Sequence, residues 1–291
     1  IFSATSPYSG LYIQAGDIAN SGVEMSLAYN DKIGAVDFES RLVYSRNVNK
    51  VKKLVHNYNT GIDNQVINFT ETSAGGGYIR EGDSMGDVYI TKVLKRDATG
   101  AIAVAADGSL SSMDLPNGER LRIGNTNPDF TLGWRNNISW KGLNLSFLIN
   151  ARVGGIVTSE TQAVLDQFGV SKATAEARDR GYVEVAGGQR VDPQKYYEVV
   201  ANQQLLGYYY YSATNIRLQN VSLTYTLPKT LLGQGWPGIT VGFIANNLWM
   251  IYNKAPFDPE IAASTGTYGQ GSDYFSAPSL RNIGFSLKLN F

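Results

Sequence analysis

Cysteine is absent from the 291 residues, so no disulfide framework, thiolate nucleophile or sulfur-ligated metal site can be built from this chain. Histidine is nearly absent. His56 stands alone, with no motif-spaced carboxylates around it, and reads as a solvated loop residue rather than a ligand or a base. No charge of either sign is in excess: Lys plus Arg and Asp plus Glu number 25 each, so no net field would draw the chain to nucleic acid or to an acidic lipid surface. No run of about 18 apolar residues occurs, which excludes an ordinary transmembrane helix. It does not exclude a membrane β-barrel, whose strands alternate lipid-facing and lumen-facing side chains, and a mean hydropathy of -0.18 is compatible with one. The amino terminus also lacks a charged segment followed by an apolar one, so any export signal is expected to have been removed or to lie upstream of Ile1.

What is present favours strands. The 31 Gly, 18 Tyr and 11 Phe, set among many Asn, Ser and Thr, suit short strands joined by turns better than packed helices. The last residues carry the clearest pattern: Ile283, Phe285, Leu287, Leu289 and Phe291 alternate with Gly284, Ser286, Lys288 and Asn290. Upstream, Phe130, Leu132, Trp134, Ile138 and Trp140 form one face, and Leu143, Leu145, Phe147, Ile149 and Ala151 form another. Only Lys141 and Gly142 separate the two, which predicts a tight hairpin. Val23, Met25, Leu27 and Tyr29 make a first strand, and a second covers roughly 36–48. Val221, Leu223, Tyr225 and Leu227 lead through Pro228 to Ile239, Val241, Phe243, Ala245 and Trp249. Ile216 and Leu218 lie on the opposite parity from Val221, which predicts a bulge near Gln219 or Asn220.

Charge follows the same parity. Glu24, Arg41, Arg135, Arg152, Arg217 and Lys288 fall on the polar side of their strands, as they must if the other side meets lipid, where Arg or Lys costs about 2–4 kcal/mol at the midplane. Arg46 is the exception and lies toward its strand's end. A soluble carbohydrate-binding β-sandwich predicts the same parity, so the connections must separate the two readings. They alternate in length: short near 30–35 and 141–142, intermediate at 228–238, long over about 49–129, 153–207 and 252–277. Short turns on one side and long loops on the other are the habit of outer-membrane barrels, with the long loops outside. Trp134, Trp140, Trp249, Tyr225 and Tyr252 lie in or near strand ends, as interfacial girdle residues would. Residues 87–95 read as a strand of a small loop hairpin with turns at 97–100 and 107–108, and 158–180 as a short helix within a loop.

About seven membrane strands result, whereas bacterial single-chain barrels have an even number of at least about eight. An open sheet with two bare edges would aggregate. Further strands are therefore expected from upstream sequence or another chain, and Ile1 is not expected to be the biological start.

Five segments then fit a family pattern: GDIANSGVEMSL at 16–27, IGNTNPDFTLGW at 123–134, NIRLQNVSLTYTLPKTLL at 215–232, NNLWMIYNKAPFDPEI at 246–261 and APSLRNIGFSLKLNF at 277–291. In this order they resemble the closing blocks of SusC/RagA-type TonB-dependent outer-membrane transporters, and they span most of the chain. The long connections, especially 49–122 and 153–207, diverge. The resemblance implies an all-β fold: the carboxy-terminal segment of a large antiparallel transmembrane β-barrel, like the 22-stranded barrel of that family. Residues 1–291 would form one partial barrel domain without the plug and the amino-terminal strands. It also implies a multi-pass protein of the bacterial outer membrane, a receptor for nutrient uptake that imports glycan fragments or peptides. The implied partners are a SusD-like surface lipoprotein, the remaining barrel and plug, the barrel-assembly machinery and outer-membrane lipid. TonB-ExbB-ExbD would act through the absent amino-terminal part.

Site expectations are few. Phe285, Leu287, Leu289 and Phe291 resemble the terminal strand signal of barrel assembly, physically a strand edge able to pair during insertion. Asp258 and Glu260 flank Pro259 in the last long connection; they could ligate Ca²⁺ or contact sugar hydroxyls, but the pattern fits a turn cap better. Tyr208 to Tyr211 could stack on sugar rings, and strand-end packing or a girdle position is the plainer use. Gly75 to Gly77 lacks GK[ST] and a following helix, and reads as a flexible loop rather than a phosphate cradle. No nucleophile, base and orienter can be assembled, so no catalytic residue, metal ligand or cofactor is expected. A glycoside hydrolase would need two carboxylates about 5–10 Å apart in a cleft.

Overall fold

Period-two alternation organises one large antiparallel sheet, seen in a computed structural model that describes residues 16–59, 66–74, 77–233, 235, 237–261 and 271–291. Its strands, in chain order, are β1 Asp17–Ile33, β2 Val36–Lys53, β3 Phe130–Trp140, β4 Leu143–Val153, β5 Asn215–Thr226, β6 Gly238–Asn253 and β7 Asn282–Asn290. Every strand pairs with its neighbours in sequence order, so the sheet is a plain up-and-down meander. The expected seven strands are present, and among the described residues the sheet is open at β1 and β7.

Register keeps the two faces chemically distinct across the whole sheet. On one face Phe38, Ile138, Leu145, Leu223, Phe243 and Phe285 lie directly opposite one another from β2 to β7. On the other, Arg41, Arg135, Leu148, Asn220, Asn246 and Asn282 do the same. A one-residue slip of any strand would exchange its two faces, so the alternating sequence itself enforces this register. Where the pattern shifts phase, the structure inserts a residue: Leu218 pairs with Ile149 and Asn220 with Leu148, leaving Gln219 as the bulge.

The short connections follow from local backbone chemistry. Between β3 and β4, Lys141 (φ 45°) and Gly142 (φ 89°) form a two-residue turn with both φ values positive, the hairpin geometry whose twist matches the flanking strands. Gly34 (φ 63°) serves the β1–β2 turn. The β5–β6 connection holds one helical turn at Lys229–Leu232.

The apolar face is largely exposed among the described residues. No second sheet covers it among the described residues; Leu27 is 70% exposed and Phe285 is 88% exposed. A soluble sandwich would bury these side chains against a facing sheet about 10 Å away, so that alternative is not the fold. The main cluster of buried apolar residues instead lies in the long connections. Leu94, Ile102 and Leu110 of the first pack with Ala163, Val185, Val191, Val200, Ala201, Leu205 and Tyr209 of the second.

These connections carry more structure than their composition suggests. The expected strand at 87–95 is two, because Asp87–Ile90 pairs with Leu121–Asn125 while Lys92–Leu94 pairs with Ser112–Asp114. The expected turns at 97–100 and 107–108 are present. The single helix expected over 158–180 is split in two, α1 Glu160–Gln167 and α2 Lys172–Arg180. Gly169 (φ 68°) ends one, and Ser171 starts the next by accepting the Thr174 amide at 3.1 Å. A third helix, α3 Pro193–Val200, begins at Asp192, whose side chain accepts the Lys195 amide at 3.1 Å. Trp134 also departs from the girdle expectation. It sits mid-strand, opposite Leu42 and Ile149, and donates its indole N–H to Ser40 Oγ at 2.9 Å.

Candidate functional site

The three long connections meet at one end of the sheet, and two inward-facing arginines tie them to it. Gln219 decides the first: the bulge reverses parity, so Arg217 points to the polar face while Leu218 and Ile216 stay on the apolar one. Arg217 donates to both carboxylate oxygens of Asp258, at 2.7 and 3.5 Å, and its Nη2 lies 3.4 Å from Glu260 Oε2. Both partners of the shorter contact are buried, with side-chain exposures of 5% and 9%. Asn253, the last residue of β6, shapes the approach by donating to the Ala255 and Phe257 carbonyls at 2.9 and 2.7 Å. Asp258 accepts the Glu260 amide at 3.1 Å and a bond from Ser279 Oγ.

The expected turn cap at Asp258 is therefore present, with Arg217 added. Burial alone would raise the Asp258 carboxyl, but the hydrogen bonds from Arg217, Ser279 and the Glu260 amide outweigh it and hold the group below the usual range. Glu260 is partly exposed and faces the same guanidinium. The acidic pair thus spends its charge on Arg217.

Arg152 makes the second tie, donating to the Thr126 carbonyl at 2.6 Å. The second and third connections are joined directly: Thr158 and Ser159 pair in parallel with Ser272 and Asp273. There Ser159 Oγ donates to Asp273 at 2.9 Å, and Ser272 Oγ donates to Glu160 at the same distance. The result is a braced cap over one rim of the sheet.

Within that cap Tyr209 donates to Asp166 at 3.0 Å, and Asp166 also accepts from Gln162 at 2.7 Å. Burial, then the Asp166 carboxylate, pushes the Tyr209 phenol up. The tyrosine run is used as core and strand: Tyr209 is buried, Tyr210 and Tyr211 pair with Thr158 and Val157, and only Tyr208 is exposed. None of the four stands in the apolar row of the sheet, so a girdle role falls away. Beside α1, α2 and α3 lies a cavity of about 210 Å³ lined by Asp166, Phe168, Thr174, Arg178, Tyr197 and Glu198. It is smaller than the roughly 300 Å³ at which ligand pockets begin.

His56 has a partner that sequence spacing did not show. Its Nε2 lies 2.6 Å from Glu81 Oε1, and Glu81 also accepts the Leu54 amide. Those bonds, the amide's first, hold the Glu81 carboxyl below its usual range. His56 is exposed as expected but lies in a short strand, Val55–Asn59, of the first long connection rather than in a loop. Gly75 and Gly76 lie outside the described residues, as does part of the 252–277 connection. Phe285, Leu287 and Leu289 sit on the apolar row of the edge strand β7, and Phe243 and Phe285 stack edge to face at 5.9 Å. Among the described residues no group of three or more His, Asp or Glu is placed to hold a metal ion.

Two comparisons agree with this geometry. The sequence is 26% identical to TonB-dependent receptor P3 of Formosa agariphila over 314 aligned residues, covering 98% of this chain and 30% of that protein. It is 28% identical to TonB-dependent receptor P39 of the same organism, over 60% of this chain and 17% of that one. Among solved structures, the RagAB peptide importer shares the fold in its open-open state (TM-score 0.65, 19% identity, 95% of this chain and 29% of that one). The closed-closed state matches equally well (TM-score 0.64, 17% identity, 95% and 30%). No family model matches the chain. The chain spans about 30% of the length of the first of these receptors and of the importer chains.

Proposed function

As a barrel portion of the SusC/RagA type of TonB-dependent transporter, this chain, we propose, forms part of the wall and outer rim of a bacterial outer-membrane importer. The observation that carries the reading is the bare apolar face. Leu27 and Phe285 are left exposed by a sheet whose opposite face is polar in every strand, while the buried apolar cluster is reserved for the loops. Hydrocarbon is the surrounding that makes such a face favourable, and the polar rows then line a lumen.

The unpaired backbone edges of β1 and β7 would be closed by the remaining strands of the transporter, with the terminal residues Phe285, Leu287, Leu289 and Phe291 serving barrel assembly. In this reading residues 1–291 are one partial barrel domain crossing the membrane several times. The short turns at Gly34, Lys141–Gly142 and 228–238 face the periplasm, and the braced cap faces outward. A plug and TonB-ExbB-ExbD coupling belong to the rest of the transporter, and a SusD-like lipoprotein would close over the cap. The cargo would be an oligomeric nutrient, a glycan fragment or a peptide; the solved relatives are peptide importers. The chain would act by enclosing and passing cargo, without catalysis.

Photolabelling with a lipid-soluble probe in cell envelopes tests the carrying observation. Phe285, Leu287, Phe147 and Leu145 should be labelled; a pattern that missed them would end the barrel reading. Uptake of labelled oligopeptides and oligosaccharides by cells with and without the complete transporter then assigns the cargo class.

A further inference from the structure

The balanced total charge hides a local imbalance on the outer surface of the β1–β2 arm. Pairing places Arg46 opposite Val23 and Lys50 opposite Ala19, on the same side of the arm as Met25 and Leu27. Lys52 follows in the irregular step where the register shifts between Asp17 and Ile18. All three are exposed. The intervening residues face the other way: Asn49 Oδ1 accepts the Met85 amide at 2.8 Å, and Val51 is wholly buried against the first connection. No hydrogen bond or ion pair engages the side chains of Arg46, Lys50 or Lys52 among the described residues. The acidic groups of the paired strand β1 near this level lie elsewhere. Glu24 pairs with Ser45 on the polar face, and Asp17 is opposite Lys53 at the arm's end.

Height fixes what this row meets. A membrane strand needs about 9–11 residues to cross the hydrocarbon, whereas β1 and β2 run for 17 and 18. Counted from Val36, Arg46 falls at the far boundary of the hydrocarbon. Lys50 stands about 13 Å further along the strand at roughly 3.3 Å per residue, tilted through the head-group layer. On the apolar parity, the side chains change from Leu42 and Tyr44 to Arg46, Val48 and Lys50 at that level.

We propose that Arg46, Lys50 and Lys52 form an outward-facing docking row for the phosphate groups of the glycolipid in the outer leaflet. This rests on the barrel reading and its orientation, and adds a lipid site that neither requires. Arg46 then ceases to be an exception to the charge parity: it is the first residue of the row, placed where a cation gains from an anionic head group instead of losing to hydrocarbon.

The complete transporter, extracted in detergent, would be titrated with diphosphorylated lipid A and with its dephosphorylated form, and retained lipid read by native mass spectrometry. The Arg46→Gln/Lys50→Gln/Lys52→Gln variant should hold the phosphorylated lipid at least tenfold more weakly, at about fivefold per charge removed. Arg46→Lys/Lys50→Arg/Lys52→Arg, which keeps the charges, should hold it like the parent. The dephosphorylated lipid should not distinguish the three proteins. Equal retention by parent and Gln variant, or an equal loss with the dephosphorylated lipid, overturns the proposal. Photolabelling of Phe285 and Leu287 in the same preparations reports the barrel reading separately. Labelled apolar positions with no phosphate dependence would refute the row alone, and unlabelled ones would refute the barrel beneath it.

Discussion

Asn136 of β3 lies directly opposite Phe147 of β4 on the apolar side of the sheet; the residue is 2% exposed, and its Nδ2 has no hydrogen-bond partner among the described residues. Trp134 and Phe147 meet edge to face at 6.0 Å on the same side of the sheet, so a polar group is buried within the apolar row. An unsatisfied buried donor costs about 1–3 kcal/mol. Asn136→Leu, of similar size, should therefore stabilise the complete barrel by about 1 kcal/mol in urea unfolding from lipid vesicles. A loss of stability would mean that the amide is satisfied in the membrane, by a partner not among the described residues.

The two faces should respond oppositely to the same charge. Phe285→Arg puts a cation on the apolar row of β7 and should cost about 2–4 kcal/mol if that position lies at the midplane. Ser286→Arg, one residue on and facing the lumen, should cost well under 1 kcal/mol. Folding titrations of the two variants into vesicles compare them directly. Equal penalties would contradict the assignment of faces.

Much of this could be read from the residues themselves, for a physical reason. Period two is a local property, so Phe285 and Lys288 announce their faces without knowledge of any partner, and Ile216 against Val221 announces the Gln219 bulge. The Asp258 turn was legible because its bond to the Glu260 amide spans two residues. Its bond to Arg217 spans 41 and was not, although Arg217 was correctly set on the polar parity. The same applies to the loop core, where Leu94 packs with Leu205 across a stretch that no periodicity crosses. The helix at Pro193–Val200 carries a local signal of its own, Asp192 followed by Pro193 at the first helical position, inside a connection that the alternation of the strands does not reach.

Gly142 tests the hairpin chemistry. Its φ is 89°, and a Cβ there would stand 2.7 Å from the Thr226 carbonyl oxygen of the neighbouring strand. Gly142→Ala should cost about 1–3 kcal/mol, since strain and a backbone contact act together. Gly34→Ala, also at positive φ but with open space around it, should cost less. Unfolding of the two variants in vesicles ranks them, and the reverse order would exclude the close approach of β5 as the cause.

The rim latch makes a prediction with a definite sign in pH. The Asp258 carboxyl is held below its usual range in the folded state, so the stability it contributes is fully present above the unfolded value of about 3.9 and is lost as pH falls through the depressed folded value. Asp258→Asn removes the charge that Arg217 meets while keeping the shape. Hydrogen bonds to charged groups contribute about 1.5–3 kcal/mol, which would speed local opening of 254–261 by roughly tenfold or more at pH 7. Hydrogen exchange of that segment in the complete transporter measures it. The variant should exchange faster than the parent from pH 7 down to pH 5; the two should begin to approach each other below about pH 4 and meet only once pH has fallen through the depressed folded value. A difference that persisted unchanged to pH 3 would show that Asp258 braces the rim by shape rather than by charge.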